Sequence, residues 1–176
     1  MTGHLICIGG LPGVGKTTIA KRLSEIFTGS VVLDPDEIRL DILDKNPKED
    51  RLRDADITPE STIATIAEMK AQAQAALQQG QTVIIGSAFI LASMRKEYKT
   101  MAVEQGAKFS AVWLDAGVTI RSARAQARLS DATNPSAVSA DKVTEVIIDG
   151  EMNWPVVDAS HDVEIVYQDV KKVLGL

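Results

Sequence analysis

The chain has 176 residues, 45% hydrophobic and 24% charged, and its 19 basic against 24 acidic residues leave a formal net charge of −5. That length suits one domain with a sizeable core, expected to span residues 1–176, and the acidic balance argues against a protein that coats DNA or anionic membrane. A single cysteine, Cys7, excludes an internal disulfide, and the first apolar run, LICIGG, is too short to cross a membrane and has no basic leader, so a cytoplasmic protein is expected.

Strand-length apolar runs alternate with longer helical patterns. Strands are expected at Leu5–Ile8, Val31–Leu33, Thr82–Ile85, Phe109–Leu114 and Val163–Tyr167. The first helix is expected over Lys16–Phe27, with Ile19, Leu23, Ile26 and Phe27 on one stripe, and a short second one over Asp36–Leu43. The third runs from Pro59 to Gln79, with Thr58 as N-cap, Pro59 at the first helical position and Gly80 as the stop. Further helices are expected at Ala92–Gln105, Val118–Leu129 and Asp141–Ile148. Alternation of apolar strands with helices predicts an α/β fold, a mostly parallel sheet covered on both faces. In such a sheet, ligands gather at the carboxyl ends of the strands, so the tips after Ile8, Leu33, Ile85 and Leu114 carry the chemistry. Two polar stretches, 44–57 and 130–139, read as mobile connections. Trp113, Phe109, Phe89 and the methionines read as core.

The first tip reads GGLPGVGKTT. Gly10, Gly15, Lys16 and Thr17 give G-x-x-x-x-G-K-T between a strand and a helix, the setting of a phosphate-binding P-loop. Glycines let successive backbone N–H groups point inward at close range, and the helix start adds its positive dipole end. Residues Gly10, Leu11, Pro12, Gly13, Val14, Gly15, Lys16, Thr17 and Thr18 are therefore expected to cradle a nucleotide. Lys16 would meet the outer phosphates and the Thr17 hydroxyl would ligate Mg²⁺. A dinucleotide turn also fits Gly9, Gly13 and Gly15, with Asp34 as the ribose acid. That reading would call for a Tyr-x-x-x-Lys pair; Tyr98 precedes Ala102 at this spacing, and Tyr167–Lys171 lies too near the chain end.

At the second tip, VVLDPDEIR, Asp34, Pro35 and Glu37 make a capping box. Capping needs one aspartate, which leaves Asp36 to orient or deprotonate an attacking hydroxyl. Asp34 has either role open to it, and Asp115 either caps the next helix or acts as a Walker B acid. Arg121, Arg124 and Arg128 share one face of the fifth helix, and no acidic residue occurs from Ala116 to Ser130 to pair them. At least one is expected to contact phosphate or nucleotide, beneath a lid over residues 121–139.

Taken together, GGLPGVGKTT, LDPDEIR, GQTVIIGSAFILASMR and the arginine helix running into SDAT resemble the small P-loop kinases, in particular the group of polynucleotide 5′-hydroxyl kinases, zeta toxins and chloramphenicol phosphotransferase-like enzymes. The resemblance implies a three-layer P-loop NTPase fold whose five-stranded parallel sheet has the order 2-3-1-4-5. It implies ATP with Mg²⁺ as cofactors, Asp36 as the base on the acceptor hydroxyl, Arg39 holding substrate or phosphate, and Arg124 and Arg128 as lid arginines. Arg95 matches an arginine often found after the third strand. Gly86 departs from the group, standing where relatives carry an aspartate near Mg²⁺. Transfer of the γ-phosphate to a hydroxyl is thus expected, with segment 40–60 over the acceptor. The acidic charge favours a small-molecule acceptor over a nucleic-acid 5′ end. The alternative suggested by Gly86 is a nucleotide-binding regulator or weak ATPase. No N-K-x-D guanine motif occurs.

Overall fold

A computed structural model describes residues 2–46, 50–130 and 147–176. The elements run β1 (His4–Gly10), α1 (Lys16–Ser24), β2 (Val31–Leu33), α2 (Pro35–Ile42), a 3₁₀ turn (Asp54–Asp56), α3 (Pro59–Gln78), β3 (Thr82–Gly86), α4 (Ala92–Glu104), β4 (Lys108–Asp115), α5 (Val118–Ser130), β5 (Val156–Asp158) and α6 (Val163–Leu174). The strands form one parallel sheet in the order β2-β3-β1-β4-β5. This is the α/β P-loop fold that the sequence resemblance implies.

Alternation along β1 builds a core on each face. Leu5 and Cys7 point to one side and Ile6 and Ile8 to the other, all fully buried. The first face is covered by α3 and α4 through Met69, Ala73, Leu77, Tyr98 and Ala102. The second is covered by α1 and α6 through Ile19, Leu23, Val166 and Val170. Because β1 sits between β3 and β4, the connections leaving its carboxyl end diverge, and a crevice opens there.

Two elements differ from expectation by more than a residue or two at their ends. The run VEIVY, expected as the last strand, opens α6 instead; the last strand is Val156–Asp158. Its β-branched residues favour a strand locally, but burial at Val166, Tyr167, Val170 and Leu174 follows helical spacing. The Asp162 carboxylate caps the start by accepting from the Glu164 amide, and Gly175 ends the helix in the left-handed conformation. Helix α1 stops at Ser24 rather than Phe27, and Ile26 turns out to solvent, 44% exposed. Of the helix expected at 141–148, residues 141–146 lie outside the described residues, as does 131–139 of the expected lid.

Candidate active site

The loop between β1 and α1 is shaped by positions that only glycine fills without strain. Gly13 has φ +85, and a Cβ there would run into the Arg121 carbonyl of α5; Gly15 has φ +104 and serves as the N-cap of α1. No side chain caps α1 and no acidic residue sits in its first turn, so its leading amides and dipole face the crevice. Lys16 folds back over the loop, its Nζ donating to the Gly10 carbonyl at 2.9 Å and the Leu11 carbonyl at 3.1 Å. Desolvation lowers its pKa to about 8; Asp36 and Asp34 oppose that shift, and Arg128 and Arg121 add to it.

The β2 tip is tied to this loop. Asp34 does two things at once: Oδ1 accepts from the Asp36 amide at 2.9 Å, capping α2, and Oδ2 accepts from the Thr17 hydroxyl at 3.0 Å. The cap is made at the second helical amide rather than the third, and Glu37, the expected capping-box partner, lies 3.8 Å from Lys21. Thr17 and Asp34 thus present a hydroxyl and a carboxylate side by side, the hard oxygen donors that suit Mg²⁺. Asp36 is partly exposed, with Oδ1 3.5 Å from Arg39 Nη1. Arg39 itself is only 7% exposed, and its Nε is buried with no hydrogen-bond partner among the described residues. Gly86 ends β3 against Lys16: a Cβ added there would come 3.4 Å from the Lys16 Cβ, ordinary contact distance.

The three arginines of α5 have three different surroundings. Arg121 is 3% exposed, and its Nε donates to the Ala116 carbonyl at 3.0 Å. It does not line the crevice, so the helical spacing does not give the three a common role. Arg124 clasps two loops, donating to the carbonyls of Val14 (3.3 Å), Ala159 (2.8 Å) and His161 (3.2 Å). Arg128 lines the crevice one turn further on. Asp115 is exposed, and its carbonyl accepts from the Ala159 amide at 2.6 Å.

Sequence reasoning assigned Arg95 no definite role and read Phe89 as core alone. Arg95 is 4% exposed and donates to the carbonyls of Phe89 (2.9 Å), Ile90 (3.0 Å), Asp149 (2.7 Å) and Glu151 (3.3 Å). It thereby holds the β3–α4 loop in place. In that loop Phe89 has φ +48, unusual for a bulky residue, with its ring wedged edge-on against Tyr98 and Trp154 at 5.3 and 5.1 Å. Phe89 is both core and wall: the loop borders one continuous cleft of about 1160 Å³ that also takes in Gly13–Thr18, Asp34, Asp36, Arg39, Arg124 and Arg128. The cleft extends past Asp36 along α3, which no contiguous motif announces.

Residues 5–147 match a protein family described as an AAA domain. No curated protein matches the chain by sequence. Among solved structures, the chain is similar to the APS kinase CysC of Mycobacterium tuberculosis in complex with AMPPNP and APS (18% identity, 99% of each chain, TM-score 0.66). It is also similar to the tunicamycin resistance protein of Deinococcus radiodurans (22% identity, 99% of this chain and 96% of that one, TM-score 0.63). A gluconokinase from Sinorhizobium meliloti 1021 matches at 15% identity, over 99% of this chain and 92% of the other, with a TM-score of 0.62. With the phosphate loop at the head of α1 and the β2-β3-β1-β4-β5 sheet behind it, the chain belongs to the AAA domain family and has the fold of the small P-loop kinases.

Proposed function

We propose that the protein is a kinase that binds ATP over Gly10–Thr18 and transfers its γ-phosphoryl group to a hydroxyl of a small molecule. One observation carries this reading: Lys16, the Thr17–Asp34 pair, and Asp36 with Arg39 all border a single cleft at the carboxyl ends of β1, β2 and β3. The loop amides and Lys16 bind the phosphates. Thr17, with Asp34 beside it, holds Mg²⁺, which when bound supplies neutralisation of charge on the outer phosphate oxygens. The Asp36 carboxylate accepts the proton of the acceptor hydroxyl. The acceptor oxygen forms its bond to the γ-phosphorus as the bond to the bridging oxygen breaks, and ADP leaves with that electron pair. Arg39 stands beside Asp36 to neutralise developing charge, and Arg128, with Arg124 behind it, flanks the nucleotide end. A small acceptor fits the net charge of −5, which disfavours the phosphate backbone of a nucleic-acid 5′ end.

Gly86 favours a second reading, a nucleotide-binding regulator, because it supplies no carboxylate beside Lys16. Asp36→Asn separates the two. A kinase loses about 10²–10⁴-fold in transfer rate with ATP affinity retained. A regulator binds ATP equally well in both forms and shows no transfer that depends on Asp36. Calorimetry with ATP and Mg²⁺, together with radiolabel transfer to a panel of hydroxyl compounds, reads both quantities.

A further inference from the structure

Beyond Asp36 the cleft changes character. Its wall there is formed by Ile57, Ile66, Met69, Phe89, Ile90 and Met94, drawn from the segment before α3, from α3 itself, from the β3–α4 loop and from the first turn of α4. Ile57, Ile66 and Ile90 are half-buried, so apolar surface remains for a ligand to cover, while Met69 and Phe89 beneath them are sealed. Besides Asp36 and Arg39, the polar side chains bordering this half are the hydroxyls of Thr62, Thr65 and Ser87. The Thr65 hydroxyl is already used, donating to the Ser61 carbonyl at 2.6 Å. Among the described residues lining this half, none is a lysine, and the one arginine is Arg39. Its guanidinium is more than nine-tenths buried at the junction of the two halves, and its Nε–H meets no acceptor among the described residues. The arginine as a whole borders the cleft, so its guanidinium offers a charged donor to an oxygen on whatever fills it. The loop forming the far wall is held in place: Phe89 adopts the left-handed conformation, fixed by the two Arg95 hydrogen bonds to its own and the Ile90 carbonyl.

Resting on the kinase reading above, we propose that the acceptor is an alcohol with an apolar body. The body lies on the Ile57–Ile66–Ile90 surface, the hydroxyl meets Asp36, and a carbonyl-type oxygen nearby accepts from the Arg39 guanidinium. A polyhydroxylated sugar would leave its hydroxyls against aliphatic carbon without partners, at a large loss of binding. A polynucleotide would find no basic track for its phosphates among the described residues of this wall.

N-alkyl hydroxyacetamides, with the alkyl group lengthened from methyl to hexyl, carry these three features and serve as the probe. ATP binding is measured by calorimetry on the same samples. Transfer is compared with that to glucose, glycerol and a 5′-hydroxyl oligonucleotide. The expected result is a kcat/KM that climbs about four-fold per methylene, the equivalent of ~0.8 kcal/mol for each buried CH₂, and overtakes all three comparison acceptors. Ile66→Asn and Ile57→Asn should each flatten that climb while ATP affinity and ATP-induced thermal stabilisation stay at the wild-type level, which also shows that the variants fold. A flat series, better transfer to the sugar or oligonucleotide, or ATP binding with no transfer to any amide overturns the apolar acceptor and leaves the nucleotide site standing. Failure of ATP to bind at all overturns both.

Discussion

At the phosphate end of the cleft, the surface is backbone: a loop bent by positive-φ glycines, an uncapped helix start and one lysine that rests on the Gly10 and Leu11 carbonyls. At the acceptor end it is side chain, with isoleucines and methionines from four stretches of the chain lining the cleft beyond Arg39. The first kind of surface recognises any polyphosphate, because amides and a dipole read charge and little else. The second reads shape. One half can therefore stay constant while the other is retuned, and the hinge between them is Asp36 with Arg39.

The comparison breaks most sharply at Arg39. On the proposed mechanism, replacing it with glutamine removes a donor to the transferred group, and turnover should fall about 10²–10³-fold, as for loss of an oxyanion-type donor. ATP affinity, measured by calorimetry, should hardly move, since the loop amides and Lys16 are untouched. A parallel loss of ATP binding would show that the two ends are not separable.

Arg95→Met comes next. Four backbone carbonyls lose their donor, and the left-handed turn at Phe89 loses its brace. Stability should drop by about 2–3 kcal/mol, or roughly 5–10 °C in Tm for a chain of this size. Among molecules that remain folded, KM for the acceptor should rise while the Kd for ATP does not. Equal changes in both would make Arg95 a global brace rather than one belonging to the acceptor end.

The phosphate end has its own signature in pH. The Lys16 ammonium, with its pKa lowered to about 8, is formed below that pH and lost as pH rises through it. Polyphosphate favours the charged form, so binding above about pH 8 must take up a proton, and ATP affinity should fall by up to about ten-fold per pH unit there. Calorimetry in buffers of different ionisation enthalpy would register near-zero proton uptake at pH 7 and close to one proton at pH 9. Affinity that stays flat through this range would place Lys16 away from the phosphates. The smallest effect is expected at Gly86. Its φ lies outside the left-handed region and an added Cβ meets Lys16 at ordinary contact distance, so Gly86→Ala should shift stability by no more than about 0.5 kcal/mol.

The same contrast explains what could be read in advance. The phosphate end is one contiguous stretch whose residue types each have a local cause, and the sheet order follows the resemblance it anchors. The acceptor end was legible only as a segment, 40–60, and its apolar wall was not, because Ile57, Ile66, Ile90 and Met94 meet only through the packing of α3 against β3 and α4, and singly each resembles core. Arg124 was visible as a cation with no acidic partner in its helix and Arg95 only through the resemblance, yet the main partners of both are backbone carbonyls, which leave no mark in a sequence. The last strand was misplaced because a β-branched run outweighed the cap at Asp162 and the helical spacing of buried residues behind it.

The proposed chemistry depends on Lys16 and the amides at the head of α1 gripping polyphosphate. Its most direct test is the ATP-induced rise in thermal stability, measured with and without Lys16→Ala. At ATP a hundred-fold above Kd the native protein should gain about 2.7 kcal/mol, seen as a higher Tm, and the variant should gain next to nothing. An undiminished shift in the variant, or a shift produced by a nicotinamide dinucleotide and not by ATP, would contradict it.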